Sequence, residues 1–130
     1  MLMRHGQFGA ARARYQSIDM ASRIEGASPH GLVAILFDEL LKALDAMAAA
    51  IRRGDLGQRG TRQARALSIL HGLEGSLDFE KGGDIAKGLS AIYREARRLT
   101  IAGAQANDAD PIVQAREMLN EIASAWNQIG

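Results

Sequence analysis

The chain reads as an all-α protein, an antiparallel four-helix bundle with a flexible or short-helical N-terminal arm. Three observations predict this. Apolar residues recur at helical spacing through four long segments, and no segment shows the two-residue alternation of a strand. Alanine and leucine dominate an apolar content of 47%, while aromatic residues make up 5%; alanine and leucine favour helix and do not mark strands. Glycine and aspartate clusters cut the pattern into pieces of helical length. Amphipathic helices with short connections fold most simply as antiparallel neighbours. A length of 130 residues fits one domain, divided into an arm over residues 1–27 and a bundle over residues 28–130.

The elements follow in order. Tyr15, Ile18, Met20 and Ile24 give the arm a short apolar edge, interrupted by Gly6, Gly9 and Gly26. Ser28-Pro29 is a sharp helix start: the serine can accept a bond from a free N–H of the first turn, and proline at the first position loses no bond. The first helix runs to about Arg53. Leu32, Leu36, Ala43 and Met47 fall near one stripe, which Val33, Phe37, Leu40, Leu44 and Ile51 widen. So broad an apolar face suits contact with more than one neighbour. Gly54-Asp55-Leu56-Gly57 stops it.

The second helix starts near Gln58 to Thr61 and carries Ala66, Leu67, Leu70, Leu73 and Leu77 to about Asp78. Gly82-Gly83 is expected to reverse the chain, because glycine adopts positive φ freely. The third helix carries Ile85, Leu89, Ile92, Ala96 and Leu99 to about Ala106. After a break at Asn107 to Pro111, Asp110 is expected to cap the fourth helix, with Pro111 at its first position. That helix carries Ile112, Ala115, Met118, Leu119, Ile122, Trp126 and Ile129.

Composition narrows the function. The net charge is +1, with acids and bases interleaved, and Arg94, Arg97 and Arg98 read as a solvated helix face rather than a nucleic-acid footprint. Cysteine is absent, which removes thiol chemistry. No apolar run approaches the roughly 20 residues that span a bilayer, and Met1 to Tyr15 lacks the apolar core of a signal peptide, so a cytoplasmic location is expected. His5, His30 and His71 share no ligand spacing, and no Glu-x-x-His pair occurs, so no metal or cofactor is expected. His30 is read as solvent-facing. Glu80-Lys81-Gly82-Gly83-Asp84 lacks the phosphate-loop pattern. Adjacent Asp38 and Glu39 diverge by about 100° on a helix and cannot act as a pair. Nothing supports an enzyme.

Two features point to a partner. Gly72, Gly75, Gly88 and Gly103 fall inside predicted helices, where each costs about 1 kcal/mol relative to alanine; close helix packing explains them, or a groove where another helix meets the backbone. Ile69 and Leu73 also form a second apolar line beside Leu70 and Leu77, and Tyr93 flanks Ile92. Apolar excess of this kind fits a bundle that binds other helices in surface grooves.

The wording of several segments is similar to one family. Ala27-Ser28-Pro29-His30 with Leu32 and Leu36-Phe37-Asp38 resembles the first-helix signature of the flagellar export chaperone FliS. Arg65-Ala66 with Ile69-Leu70 resembles a segment of its second helix. Leu77-Asp78-Phe79-Glu80-Lys81-Gly82-Gly83-Asp84-Ile85-Ala86-Lys87 with Leu89 matches its hairpin nearly throughout. Ile92-Tyr93, Arg97-Arg98-Leu99 and Ala125-Trp126 fit its later helices. The resemblance covers roughly Tyr15 to Gln128. Arg12 replaces an apolar residue common in the family, and Arg94-Glu95-Ala96 replaces its usual Asp-Tyr-Met.

The resemblance implies a non-enzymatic bundle of the bacterial cytoplasm. It implies binding of the amphipathic C-terminal region of newly made flagellin, which blocks premature polymerisation, and delivery to the flagellar type III export gate. It implies an N-terminal arm that can fold over the binding surface, with Tyr15 at the position of the family's arm tyrosine; from charge and hydropathy, no nucleic-acid partner and no membrane insertion are expected. The expected groove residues on the second, third and fourth helices are Leu73, Ile92, Tyr93, Ala96, Met118 and Ile122, with the Tyr15 arm competing for part of that surface. The chain would act as a monomer or homodimer. The alternative is a structural bundle that self-associates through the same apolar surface without a client.

Overall fold

A computed structural model of the chain describes residues 20–129. Residues 20–25 are helical, and four longer helices follow: α1 (Pro29–Arg53), α2 (Leu56–Gly75), α3 (Phe79–Ala106) and α4 (Asp110–Ile129). No strand occurs among the described residues. Tyr15 lies outside them. The four helices form a closed antiparallel ring: α1 packs on α2 and α4, and α3 packs on the same two. Every helix therefore buries two flanks, which accounts for the broad apolar faces of the sequence.

The core follows the alternating three- and four-residue spacing that faces packed helices. In α1 the buried seam is Phe37, Leu40, Leu44, Met47 and Ile51. Of the expected stripe, Ala43 and Met47 are core, while Leu32 and Leu36 are only half-buried. α4 contributes Ile112, Ala115, Leu119 and Ala123, and α2 contributes Ala66, Ile69, Leu70 and Leu73. Ile69 and Leu73, which resembled a spare apolar line, are core, because α2 has two neighbours. In α3 the core residues are Ala86, Tyr93, Ala96, Leu99 and Ala104. Buried Thr100 satisfies its hydroxyl by donating to the Ala96 carbonyl at 2.7 Å.

Helix ends are fixed by local chemistry. The Ser28 hydroxyl accepts from the Gly31 N–H at 3.0 Å, with Pro29 following in the first turn. Gly54 closes α1 at φ 72°, and the Asp55 carboxylate then accepts from the Gln58 N–H at 3.0 Å. That start precedes the expected Gln58 to Thr61. Before α4 the accepting carboxylate is Asp108, bonded to the Asp110 N–H at 3.0 Å, so Asp110 is not the cap; Asn107, at φ 52°, has already closed α3.

The hairpin between α2 and α3 differs most from expectation. α2 ends at Gly75, and the chain reverses through Ser76, Leu77 and Asp78. The Asp78 carboxylate accepts from the N–H groups of Glu80 and Lys81 and starts α3 there, four residues before the glycines. Gly83 then interrupts α3 at φ 51° and ψ −126°. Gly82-Gly83 is therefore a kink one turn into a helix rather than the reversal. The reason is the aspartate cap, which nucleates a turn before the glycines are reached. Leu77 belongs to the connection, not to α2.

Ion pairs brace neighbouring helices. Glu74 of α2 accepts from Arg94 at 3.2 Å and Arg97 at 2.9 Å, both on α3. Arg116 of α4 reaches Asp45 of α1 at 3.1 Å. Hydrogen bonding to Arg94, together with Arg97, holds the Glu74 carboxyl below its usual value of 4.5. A carboxyl lowered by folding stabilises the folded state above its unfolded pKa, and the effect is lost as pH falls through the folded value. Urea titrations should show stability declining below about pH 4.5, the model-peptide range for Glu, with a smaller decline in Glu74→Gln. Equal declines in both proteins would assign the pH dependence elsewhere.

The glycines divide by their surroundings. A Cβ on Gly103 would sit 2.7 Å from the Ile112 Cδ1 and 2.8 Å from the Asp108 carbonyl oxygen, whereas one on Gly72 or Gly88 meets nothing within 4 Å. Of Gly72, Gly75, Gly88 and Gly103, close packing thus explains Gly103 alone. Gly103→Ala should destabilise by about 1–3 kcal/mol, and Gly83→Ala by a similar amount through strain at positive φ. Gly72→Ala should stabilise by about 1 kcal/mol. Chemical denaturation reads all three, and a loss for Gly72→Ala would refute the distinction.

Candidate functional site

The helices leave one end of the ring unfilled. There the start of α1, the end of α2, the start of α3 and the end of α4 surround an apolar groove of about 620 Å³. Val33 and Phe37 come from α1; Leu73 and Leu77 come from α2 and its connection. Ala86, Leu89 and Tyr93 form the α3 wall, and Ile122, Ala125 and Trp126 the α4 wall. Small side chains at Ala86 and Ala125 leave volume that larger residues would fill. Asp78 and Lys81 supply opposite charges at the rim.

Exposure grades from base to mouth. Phe37 and Tyr93 are 3% exposed, with ring centroids 6.5 Å apart at a tilt of 45°. Burial raises the Tyr93 phenol above its ordinary pKa of 10.0, so the base stays uncharged. At the mouth, Ile85 is 77% and Ile129 76% exposed. Two isoleucines so open beside one groove make a continuous apolar surface, unlike scattered single residues.

Trp126 fixes the α4 wall. Its indole stacks on His30 with centroids 4.3 Å apart and planes 9° from parallel. Its Nε1 donates to the His30 carbonyl at 3.0 Å. The bond ties the last turns of α4 to the first turn of α1 and uses a carbonyl at the helix start. His30 is therefore half-buried in a stack, not solvent-facing as the sequence suggested.

The groove brings together three of the residues singled out by sequence: Leu73, Tyr93 and Ile122. Ala96 is fully buried in the core, because it lies one turn deeper along the α3 seam than Tyr93. Ile92 and Met118 are half-buried and do not line the groove. The periodicity ran through Ile85, Leu89 and Ile92, but Tyr93 and Ala86 take the inward positions. The expected groove lies on the second, third and fourth helices, whereas Val33 and Phe37 of α1 form one of its walls. The available signal for the rest is Ile85 two residues after Gly82-Gly83: a large apolar residue beyond a helix irregularity escapes the core.

Among the described residues no cluster of three or more His, Cys, Asp or Glu side chains is arranged to hold a metal. No described helix is long and apolar enough to cross a membrane. The geometry is that of a four-helix bundle with an apolar cleft at one end.

The comparisons with known proteins give that class a family. The profile described as "Flagellar protein FliS" matches residues 11–130. Over 116 residues the chain is 36% identical to the flagellar secretion chaperone FliS of Salmonella typhimurium, covering 88% of this chain and 86% of that protein. It is 33% identical to the Vibrio cholerae chaperone of the same name, covering 88% and 85%. Against the Campylobacter jejuni chaperone it is 32% identical, covering 78% and 80%. The chain belongs to the FliS family of flagellar secretion chaperones.

The bond from Trp126 to the His30 carbonyl is testable by Trp126→Phe, which keeps an aromatic ring and removes the donor. The variant should lose about 1 kcal/mol of stability, measured by chemical denaturation. An unchanged midpoint would mean that the stack alone fixes this end of the bundle.

Proposed function

We propose that this protein is a non-enzymatic chaperone of the bacterial cytoplasm that takes the amphipathic C-terminal region of flagellin into the end groove. Capture there keeps the segment from polymerising, and the complex is carried to the flagellar type III export gate. The observation that carries this reading is the open apolar mouth at Ile85 and Ile129 above a base of Phe37 and Tyr93. It occurs in a chain whose relatives are named flagellar secretion chaperones. An amphipathic helix laid in a groove buries its apolar face and leaves its polar face in water.

The volume sets how much of the guest is held. A helix about 10–12 Å across rising about 1.5 Å per residue occupies on the order of 140 Å³ per residue. A groove of about 620 Å³ therefore holds one complete turn, or the buried half of about two. A longer client would contact the chaperone beyond the groove. Ordering a flexible client opposes binding, so affinity depends on how completely the mouth isoleucines are covered. The arm carrying Tyr15 would compete for the same surface.

Calorimetry with the C-terminal flagellin peptide should give micromolar binding, with a change in the emission of Trp126, the only tryptophan. Ile85→Ala and Ile129→Ala should each lower affinity about tenfold, from about 1.5 kcal/mol of lost burial. Neither side chain is packed in the core, so thermal melting should stay unchanged. A folded protein that produces no heat with the peptide would overturn the proposal. A stable dimer indifferent to peptide would point to self-association instead.

A further inference from the structure

The outer face of α3 carries a second surface, separate from the groove. Its groove-lining positions, Gly82, Ile85, Ala86, Leu89 and Tyr93, lie roughly opposite Lys87, Ala91, Arg94 and Arg98 at about 100° per residue. Along that opposite side runs a trough of about 540 Å³. Ser90 and Ala91 make its floor, and their small side chains allow another backbone to come close. Phe79 stands at its head, 48% exposed, on the single turn that precedes the Gly83 kink. Lys87, Arg94 and Arg98 line its sides.

The local charge is unbalanced. Arg94 and Arg97 share one carboxylate, Glu74, and Arg98 takes Glu95. Lys87 makes no ion pair among the described residues. Among the residues that line the trough, three cations, Lys87, Arg94 and Arg98, stand against one acid, Glu95, around an exposed phenyl ring, while Glu80 and Asp84 are exposed on α3 outside that lining. A nucleic acid or lipid surface is a poor fit, because Glu95 lies in the wall and the cations flank a narrow apolar floor instead of a broad basic sheet.

We propose that this trough docks an acidic amphipathic helix of a partner protein, with an apolar side chain against Phe79 and carboxylates against Lys87, Arg94 and Arg98. Charge complementarity sets the orientation and the rate of encounter, and the ring supplies salt-independent affinity. Because groove and trough occupy opposite sides of α3, both can be filled at once. The chaperone could then be held by one protein while carrying another. The inference stands on α3 alone and does not depend on what fills the groove.

The test uses a fluorescein-labelled amphipathic peptide of about five helical turns, with leucines on one face and glutamates on its flanks. The full chain is titrated against it by fluorescence anisotropy. Lys87→Glu with Arg98→Glu should weaken binding by about tenfold. A control of equal charge change, Arg52→Glu with Arg62→Glu, should stay within about twofold, since both arginines lie elsewhere on the exposed surface. Phe79→Ala should weaken binding without altering its salt dependence. Ala91→Glu, which removes no packed side chain, should weaken it by repulsion. Equal losses in the two charge-reversed proteins would overturn the proposal. So would indifference to both Phe79→Ala and Ala91→Glu, or tighter binding of duplex DNA or anionic vesicles with the same dependence on Lys87 and Arg98.

Discussion

At Gly83 the chain leaves helical angles for one residue, with φ 51° and ψ −126°, and resumes the helix immediately. A residue with a Cβ resists that conformation. The turn before it is held by Asp78, whose carboxylate satisfies two N–H groups that no carbonyl could reach. The first turn of α3 is therefore fixed at one end by a cap and offset at the other by the kink. Ile85, just past the kink, stands open at the groove mouth, and Phe79, just before it, stands open at the trough. Both open apolar surfaces of α3, the groove mouth and the trough head, adjoin that one backbone irregularity.

The rest of the bundle can carry this open end because the opposite half is tightly made. Leu40, Leu44, Met47, Leu70, Ile112 and Leu119 are fully enclosed. Gly103 lets the α3–α4 turn approach so closely that Ile112 packs over bare backbone. Buried apolar area of this order dominates folding stability. The exposed isoleucines contribute little to it, so their exposure costs the fold little and is available to a partner. The ion pairs at Glu74 and Asp45 are partly open to solvent, and their role is to register adjacent helices more than to stabilise them.

Much of this was legible in the residues. Four helices, the Ser28-Pro29 start and the cut at Gly54 follow from local rules that need no neighbour. Leu73, Tyr93 and Ile122 stand out in the apolar pattern and line the groove. The misses share a cause. Asp78 and Asp108 both outrank nearby glycine or aspartate as the capping acceptor, and sequence does not rank competing caps. Ala96 and Ile92 differ by four residues, close to one turn, yet one is sealed and the other half-open, because α3 leans unequally on α2 and α4.

The sequence by itself determined an all-helical bundle, its approximate boundaries and its family, since periodicity, caps and the hairpin wording are local properties. Only the tertiary structure decided which apolar residues are core and which form a groove. A leucine facing a neighbour and a leucine facing a vacancy obey the same spacing; what separates them is whether a fourth helix fills the space opposite. The bundle answers that only after α2 has stopped at Gly75, α3 has kinked at Gly83, and Trp126 has closed onto His30.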